Sequence, residues 1–334
     1  MLLVDLLEFE YSGPFEKLAY SIPVEYKGQI YRVNYEKFGM RIIVPENGDP
    51  QGLYRQLEKG MKAAKRYFLW RADQAAGTDN LNLVSKCHSL WEKYLFLRGR
   101  SENLRDQAEA SKGEVHHEKG SGDHEGSIWA TFSFPSFEYK QQADWLHEAA
   151  VDAFFAWCEQ ALVHVAVLLG KLKNGREITD LLNGNFGDKC RLVFNYADPA
   201  DKRACDDILA LRTEIRNYVA HGSFGKDGST FQFHSKVGAV PLKILDAPKS
   251  GSFAFVTESD YDQRRDFERI ERFLSQLWSG KREPAKLYIE TNLPCILTYV
   301  TNGKYQRAMR TVEDMKAFLE GLTRMWDDAA NMDW

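Results

Sequence analysis

The stretch from Ala149 to Leu169 constrains the fold of this chain more than any other part of the sequence. Its apolar residues cover almost every side of a helix, which is expected only where neighbours pack around the helix on several sides. Four polar residues interrupt the stretch: Asp152, Glu159, Gln160 and His164. A membrane span tolerates few such groups. The stretch therefore predicts the core helix of a helical domain, and no membrane is expected among the partners of the protein.

Two carboxylates on this helix need an explanation. Asp152 and Glu159 are seven residues apart, so they lie on one helical face, two turns from each other. An isolated charge in a protein interior is very costly, so a buried carboxylate needs a partner. Arg212 and Arg216 are natural partners for Glu159. Two compatible interpretations stay open, because Glu159 can be a structural ion-pair member or a group that orients a functional arginine.

A second helix ends in a cluster of polar residues. Its apolar positions recur at steps of three and four: Ile208, Leu211, Ile215 and Val219. This spacing predicts an amphipathic helix that begins near Pro199 and ends before Gly222, where a left-handed residue commonly follows a helix. Its last turns carry Arg216, Asn217 and His221, and Asn217 and His221 fall on one face. The cluster suits a helix cap, since cations complement the helix dipole, and it equally suits a catalytic site.

The pattern Arg216-Asn217-x-x-x-His221 resembles the Arg-(Asn/Asp/His)-x-x-x-His signature of the HEPN superfamily, helical-bundle proteins of which many are metal-independent ribonucleases. The resemblance covers roughly residues 140 to 280, where a long apolar helix precedes the motif and another helical stretch follows it. It implies a HEPN-like helical bundle and an endoribonuclease that needs no metal and no cofactor. The implied products of RNA cleavage are 2′,3′-cyclic phosphate and 5′-hydroxyl ends.

The resemblance also implies roles for individual residues. His221 is expected to act as general base or acid, because imidazole titrates near neutrality. Arg216 is expected to hold the scissile phosphate with a planar, permanently charged group. Asn217 is expected to orient the imidazole, with Glu159 and Arg212 in supporting positions.

The same resemblance implies partners. HEPN ribonucleases typically pair two motifs across a dimer, and this chain has one, so a homodimer is expected. Stand-alone bacterial members often serve in toxin–antitoxin systems or antiphage defence, which implies an antitoxin or regulatory protein as a further partner. Two rival interpretations remain: a non-catalytic HEPN module that binds a partner protein or nucleotide, and a scaffold subunit whose N-terminal part carries the function.

Net charge limits how the chain can bind RNA. The formal charge is −4, so no whole-molecule field attracts nucleic acid and a local basic patch is required. An alternating pattern after Gly222 predicts a β-hairpin that carries Lys226 and Lys236 beside Phe231 and Phe233. We expect the two lysines to bind substrate, although the same alternation is typical of a half-buried sheet.

The sequence suits a cytoplasmic protein. The five cysteines are scattered, odd in number and without a Cys-x-x-Cys pair, which argues against a zinc ribbon or a disulfide framework. The first residues, Met1 to Tyr11, are acidic where a signal peptide needs a basic start. The sequence has no Walker A loop, no Gly-x-Gly-x-x-Gly after a strand, no His-Glu-x-x-His and no Gly-x-Ser-x-Gly, which weakens the corresponding enzyme classes.

The predicted fold class is α+β, mainly α. Residues 1–105 are predicted as an N-terminal α+β region with a meander at 20–45 and helices at 53–72 and 81–97. Residues 106–127, glycine-rich and nearly devoid of apolar side chains, are predicted as a flexible linker or loop. Residues 128–334 are predicted as a HEPN-like helical domain with a β-hairpin insertion. Its C-terminal part is expected to hold strands at 286–289 and 296–300 and a helix at 312–326.

Overall fold

A computed structural model of the protein describes residues 1–121, 128–221, 231–235, 238–244, 253–255 and 263–332. For residues 216–221, at the end of the motif-bearing helix, it describes the backbone alone. The described chain is mainly helical with small antiparallel sheets, which confirms the predicted α+β, mainly α class.

The helices and strands follow one another along the whole chain. The helices are α1 (Pro50–Ala63), α2 (Lys65–Ala76), α3 (Cys87–Ala110), α4 (Pro135–Leu168), α5 (Gly175–Asn183), α6 (Phe186–Val193), α7 (Pro199–His221), α8 (Gln263–Leu277), α9 (Glu283–Ile289), α10 (Thr298–Thr301), α11 (Lys304–Ala308) and α12 (Val312–Asn331). The strands are β1 (Leu18–Tyr26), β2 (Gln29–Glu36), β3 (Gly39–Ile43), β4 (Asn82–Leu83), β5 (His116–Ser121), β6 (Ile128–Ser133), β7 (Phe231–Ser235), β8 (Gly238–Ile244), β9 (Phe253–Phe255) and β10 (Cys295–Ile296). A π-helical turn at Leu2–Leu6 and a 3-10 turn at Gly280–Arg282 complete the regular structure of the described residues.

The chain forms two compact units. The meander unit consists of Met1–Asn82, Lys173–Ile178 and Ile296–Trp334, and the helical unit consists of Leu83–Leu172 and Thr179–Cys295. This division differs from the predicted boundary at 106–127, because α3 packs along α4 and so belongs with the helical unit.

The meander unit is built on the predicted antiparallel sheet, in the order β1-β2-β3. Alternate residues of the strands turn to one face, where they form a core with the first turn of α1: Ile22, Val24, Tyr31, Val33 and Leu53. The last helix, α12, belongs to this unit. Lys17 Nζ donates to the backbone oxygen of Asn331 at 3.1 Å, and Lys37 Nζ donates to its side-chain oxygen at 3.0 Å.

The helical unit is a bundle of α3, α4, α7 and α8, and α3 runs antiparallel to α4. Ser101 Oγ, midway along α3, donates to the backbone oxygen of Ala143 at 2.8 Å. Closer to the end of α3, the backbone oxygen of Ala108 accepts from Ser136 Oγ at 2.7 Å. Residues later in α3 therefore contact residues earlier in α4.

Helix α8 runs parallel to α4, and α7 runs antiparallel to both. The Phe154 and Phe273 rings are 6.2 Å apart, and His147 contacts Asp266 two turns earlier on each helix. Between α7 and α8 the order is reversed, because Glu214 contacts Arg269 whereas the earlier Asp201 contacts the later Gln276. The C-terminal end of α7 therefore lies at the end of the bundle where α4 and α8 begin.

The structure confirms that Ala149–Leu169 is the core of this bundle. Phe155 and Trp157 are only 6% and 3% exposed. By length and composition α4 can cross a membrane, but 78% of its most apolar window is buried inside the protein. It is therefore the central helix of the bundle, as the polar interruptions predict.

The structure differs from the sequence predictions in two segments. Within the segment predicted as a flexible linker or loop, residues 106–110 complete α3, and residues 116–121 form β5, which pairs in register with β6. The strand predicted at 286–289 is instead part of α9, and in the segment predicted as a strand at 296–300 only Ile296 lies in a strand, β10, whereas residues 298–300 belong to α10. Short apolar runs fit a strand and a buried helix equally well, and Pro284 in the first turn of α9 favours a helix start.

Candidate functional site

The motif lies on the last turns of α7, where the backbone is helical through His221. Asn217 and His221 are four positions apart, so they share a helical face, and Arg216 follows Arg212 by one turn on another face. The side chains of Arg216, Asn217 and His221 lie outside the described residues, as do Lys226 and Lys236 entirely. The described part of the site is therefore the set of contacts that hold α7 in the bundle.

The first of these contacts fixes the start of α7. Asp201 is 2% exposed and accepts from Arg282 Nη1 at 2.9 Å and Nη2 at 2.7 Å. It also accepts from Gln276 Nε2 at 2.6 Å and from the backbone N–H of Asn195 at 2.8 Å. Burial alone would raise the pKa of Asp201, but the hydrogen bonds from Arg282, Gln276 and Asn195 outweigh it and lower that pKa.

The second contact joins the middle of α7 to the core helix. Arg212 Nη2 donates to Glu159 Oε1, so the predicted pairing of Glu159 with a cation of the motif helix is present. Glu159 Oε2 accepts from Lys189 Nζ at 3.4 Å, and the same ammonium donates to the backbone oxygen of Gly184 at 3.2 Å. One carboxylate therefore balances two cations, and Lys189 is 2% exposed. Asp152, on the same face of α4, is exposed to solvent.

Sequence reasoning missed Lys189. The available signal was its place on a short helix among apolar residues, because Phe186, Cys190 and Val193 are all buried on α6. A lysine in such surroundings needs a carboxylate. Glu159 is the carboxylate that it finds.

Aromatic rings fix the guanidinium of Arg212 in addition to the ion pair. Its central carbon lies 4.6 Å from the Phe186 ring centroid and 5.8 Å from that of Phe155. The two rings meet edge to face at 5.6 Å. A planar cation over aromatic faces gains electrostatic attraction without a further anion. Arg212 is thus held in one place, one helical turn before Arg216, and its side chain is 26% exposed.

The third contact lies two residues before Arg216 and continues into the interior. Glu214 Oε2 accepts from Arg269 Nη1 at 2.6 Å, and the same guanidinium atom lies 3.9 Å from Asp266 Oδ1. Asp266 Oδ2 lies 3.1 Å from His147 Nε2, and both of these side chains are buried. The chain of contacts links α7, α8 and α4 close to the motif. These contacts were not predicted from the sequence.

The cysteines offer no exposed nucleophile. All five are buried, and none forms a disulfide. Burial raises the pKa of the Cys158 thiol well above its ordinary value. A hydrogen bond from Cys190 has the opposite effect on Cys205 and lowers the pKa of that thiol. Among the described residues, no group of three or more His, Cys, Asp or Glu side chains is arranged to hold a metal ion.

No family model, curated protein or solved structure matches the chain. The motif and the helical bundle that carries it are therefore the features that bear on function.

Proposed function

We propose that the protein is a HEPN-type, metal-independent endoribonuclease that acts in the cytoplasm, with RNA as substrate. The observation that carries the proposal is the place of Arg216-Asn217-x-x-x-His221 on the closing turns of a helix inside a helical bundle. The pairing of Glu159 with Arg212 supports it, because it holds the preceding turn of that helix rigidly.

The proposed reaction is an attack of the ribose 2′-oxygen on the adjacent phosphorus. One His221 removes the proton from the 2′-hydroxyl, the new O2′–P bond forms, and the P–O5′ bond breaks. A second imidazolium gives a proton to the departing 5′-oxygen, so the proton count balances. Arg216 neutralises the charge that grows on the non-bridging phosphate oxygens, and Asn217 holds the imidazole ring. No metal or cofactor takes part in this scheme.

One base and one acid require two histidines, and the chain has one motif. We therefore propose a homodimer in which two α7 ends face each other across the substrate. By the family resemblance the enzyme serves in toxin–antitoxin systems or antiphage defence, with an antitoxin or regulatory protein that restrains it.

The decisive experiment compares wild type with His221→Ala and Arg216→Ala on single-stranded RNA in the presence of chelator. We expect His221→Ala to abolish cleavage and Arg216→Ala to lower the rate by about a hundredfold or more, the usual loss for a charge-stabilising group. The 3′ ends of the products should carry a cyclic phosphate, which blocks ligation of a label to the 3′ end until the phosphate is removed. Thermal melts of all three proteins should coincide.

The rival proposal is a non-catalytic module that binds a partner protein or nucleotide, in which the same residues cap α7. It predicts a loss of about 1 kcal/mol of stability in each variant and unchanged function. Cleavage that persists in His221→Ala, or that stops when chelator is added to wild type, contradicts the ribonuclease proposal.

A further inference from the structure

A strongly basic segment lies at the junction of α1 and α2. Residues 59–71 contain five cationic side chains and no Asp or Glu: Lys59, Lys62, Lys65, Arg66 and Arg71. The chain as a whole has a formal charge of −4, so the net charge of this segment is opposite in sign to that of the whole chain. The net charge requires such a patch before the protein can attract nucleic acid.

The cations of this segment are available to a ligand. All five are exposed. Lys62 pairs with Glu58 at 2.8 Å, on the solvent side where such pairs are weak. The side chains of Lys59, Lys65, Arg66 and Arg71 form no hydrogen bond or ion pair with any described residue. Asp73, the next carboxylate along α2, pairs with Arg176 Nη2 at 3.1 Å.

Exposed apolar side chains lie among these charges. Trp70 is 56% exposed and Leu69 is 62% exposed. The Tyr67 and Trp70 rings are 5.8 Å apart and tilted by 38°. Arg66 and Trp70 are four positions apart and therefore share a face of α2. Lys65, the first residue of α2, lies beside this face. We call Arg66, Tyr67, Leu69 and Trp70, together with Lys65 at the start of the helix, the outer face of α2.

Other residues of α2 line a cavity beside the sheet. Phe68, Ala72 and Ala75 line a mainly apolar cavity of about 1290 Å³ against the sheet. The apolar side chains that a membrane-bound helix would bury thus line this cavity. The outer face retains only Leu69 and Trp70 as large exposed apolar groups, which is a small area for insertion into lipid. The mixture of cations and an exposed indole instead suits a chain of phosphates and bases, since bases stack on aromatic rings.

We infer that the outer face of α2 binds single-stranded RNA, with Trp70 stacking on a base and Lys65 and Arg66 contacting phosphates. The inference rests on the proposed function only for the identity of the natural ligand, since binding does not require cleavage. It supplies a basic patch in addition to Lys226 and Lys236, the two lysines that the sequence predicts to bind substrate.

The test uses a ligand that the proposed reaction cannot cleave. A fluorescent single-stranded 2′-O-methyl RNA, about 16 nucleotides long to match the upper site size of one binding module, lacks the attacking hydroxyl. Its dissociation constant is measured by fluorescence anisotropy over a series of salt concentrations. The variants are Trp70→Ala and the double variant Lys65→Gln/Arg66→Gln in the full chain.

We expect Trp70→Ala to weaken binding about tenfold, within the range for one stacked base. The double variant should reduce the slope of log Kd against log salt by about 1.4, which is roughly 0.7 for each lost phosphate contact on a single strand. Phe38→Ala, at a 96% exposed ring, is the control for loss of an aromatic group. Arg32→Gln/Lys316→Gln removes two exposed charges elsewhere in the meander unit and should leave the slope unchanged.

Equal affinity in wild type and Trp70→Ala, or an equal salt slope in the two double variants, overturns the inference. So does binding of wild type to vesicles of phosphatidylserine and phosphatidylcholine with a blue shift of tryptophan emission that Trp70→Ala removes, because the face would then be a membrane surface. Tight binding of the uncleavable RNA by a protein without nuclease activity supports the inference and counts against the proposed function alone. Because α2 buries no residue fully, the melts of these variants should match wild type.

Discussion

Replacing Asp201 with alanine should release the start of the motif helix from the bundle. The carboxylate accepts four hydrogen bonds, two of them from Arg282, and the side chains of Asp201 and Arg282 are only 3% and 11% exposed. Removal of one partner leaves a buried guanidinium without its counter-charge. Such a change typically costs about 3–5 kcal/mol.

The structure places the expected cost near the lower end of that range. Arg282 Nη2 also donates to the backbone oxygen of Gln276 at 2.8 Å, and its Nε donates to that of Leu277 at 3.1 Å. These carbonyls continue to satisfy the guanidinium after the carboxylate is removed. We therefore expect Asp201→Ala to lower the free energy of unfolding of the helical unit by about 3 kcal/mol.

The measurement is urea unfolding followed by tryptophan fluorescence, which reports on the bundle through Trp91 and Trp157, whose rings are 4.8 Å apart. Asp207→Ala is the matched control on the same helix. Its partner Arg272 is 4.0 Å away and both side chains are largely exposed, so the loss should stay below about 1 kcal/mol. If the two variants unfold with the same free energy, the buried pair does not anchor α7 and the reasoning is refuted.

The same pair predicts a dependence on pH. The pKa of Asp201 is lower in the folded protein than its ordinary value, so its stabilisation is present above the unfolded pKa of about 3.9 and is lost as pH falls through the folded pKa. The difference in unfolding free energy between wild type and Asp201→Ala should therefore be constant near neutrality and shrink in acid. A difference that grows as pH falls contradicts the sign of this shift.

Three further predictions concern the core helix, its ion pair and assembly. Phe154→Ala should cost about 3–5 kcal/mol because the ring is fully buried, whereas Phe137→Ala at a 72% exposed ring of the same helix should cost less than about 0.5 kcal/mol in the same unfolding assay. Glu159→Gln should lower RNA cleavage about tenfold by releasing Arg212. Adding Lys189→Met to this variant should recover stability but not cleavage. An equal recovery of stability and cleavage would show that the Glu159–Arg212 pair is purely structural. Sedimentation at micromolar concentration should show a dimer, and a monomer alone removes the two-motif mechanism.

The elements that sequence reasoning predicted well are those with long, unambiguous periodicity. The meander, α4 and α7 each carry many residues in one pattern, and the polar groups of α4 revealed that it needed a cation. Glu159 could be paired in advance because an interior carboxylate admits few partners. The choice between Arg212 and Arg216 could not, since it depends on the register between α7 and α4.

The errors arose where context outweighs local pattern. The segment 116–121 has almost no apolar residues, yet it forms a strand because β6 supplies the pairing edge and ring contacts such as His117 with Phe132 at 4.5 Å. Helix α9 buries Ala285, Tyr288 and Ile289 at helical spacing. The predicted strand was only four residues long, and so short a run cannot reveal a helical period. Likewise the series of side-chain contacts from Glu214 to His147 joins three helices. Such contacts depend on how the helices pack, which cannot be predicted from a single sequence.

The order of contacts along α7 bears on how its chemistry should be tested. Among the described residues the ionic contacts of the helix fall at Asp201, Asp207, Arg212 and Glu214, all before the motif. They fix the course of the helix up to the turn that contains Arg216. Substitution of Arg212 therefore removes a support of the bundle together with any influence on the site, and loss of activity would not separate the two.

Arg216→Ala and His221→Ala leave every one of these contacts intact. An unchanged unfolding free energy in these two variants, combined with lost cleavage, assigns the motif to chemistry; a fall of about 1 kcal/mol with unchanged function assigns it to the helix end.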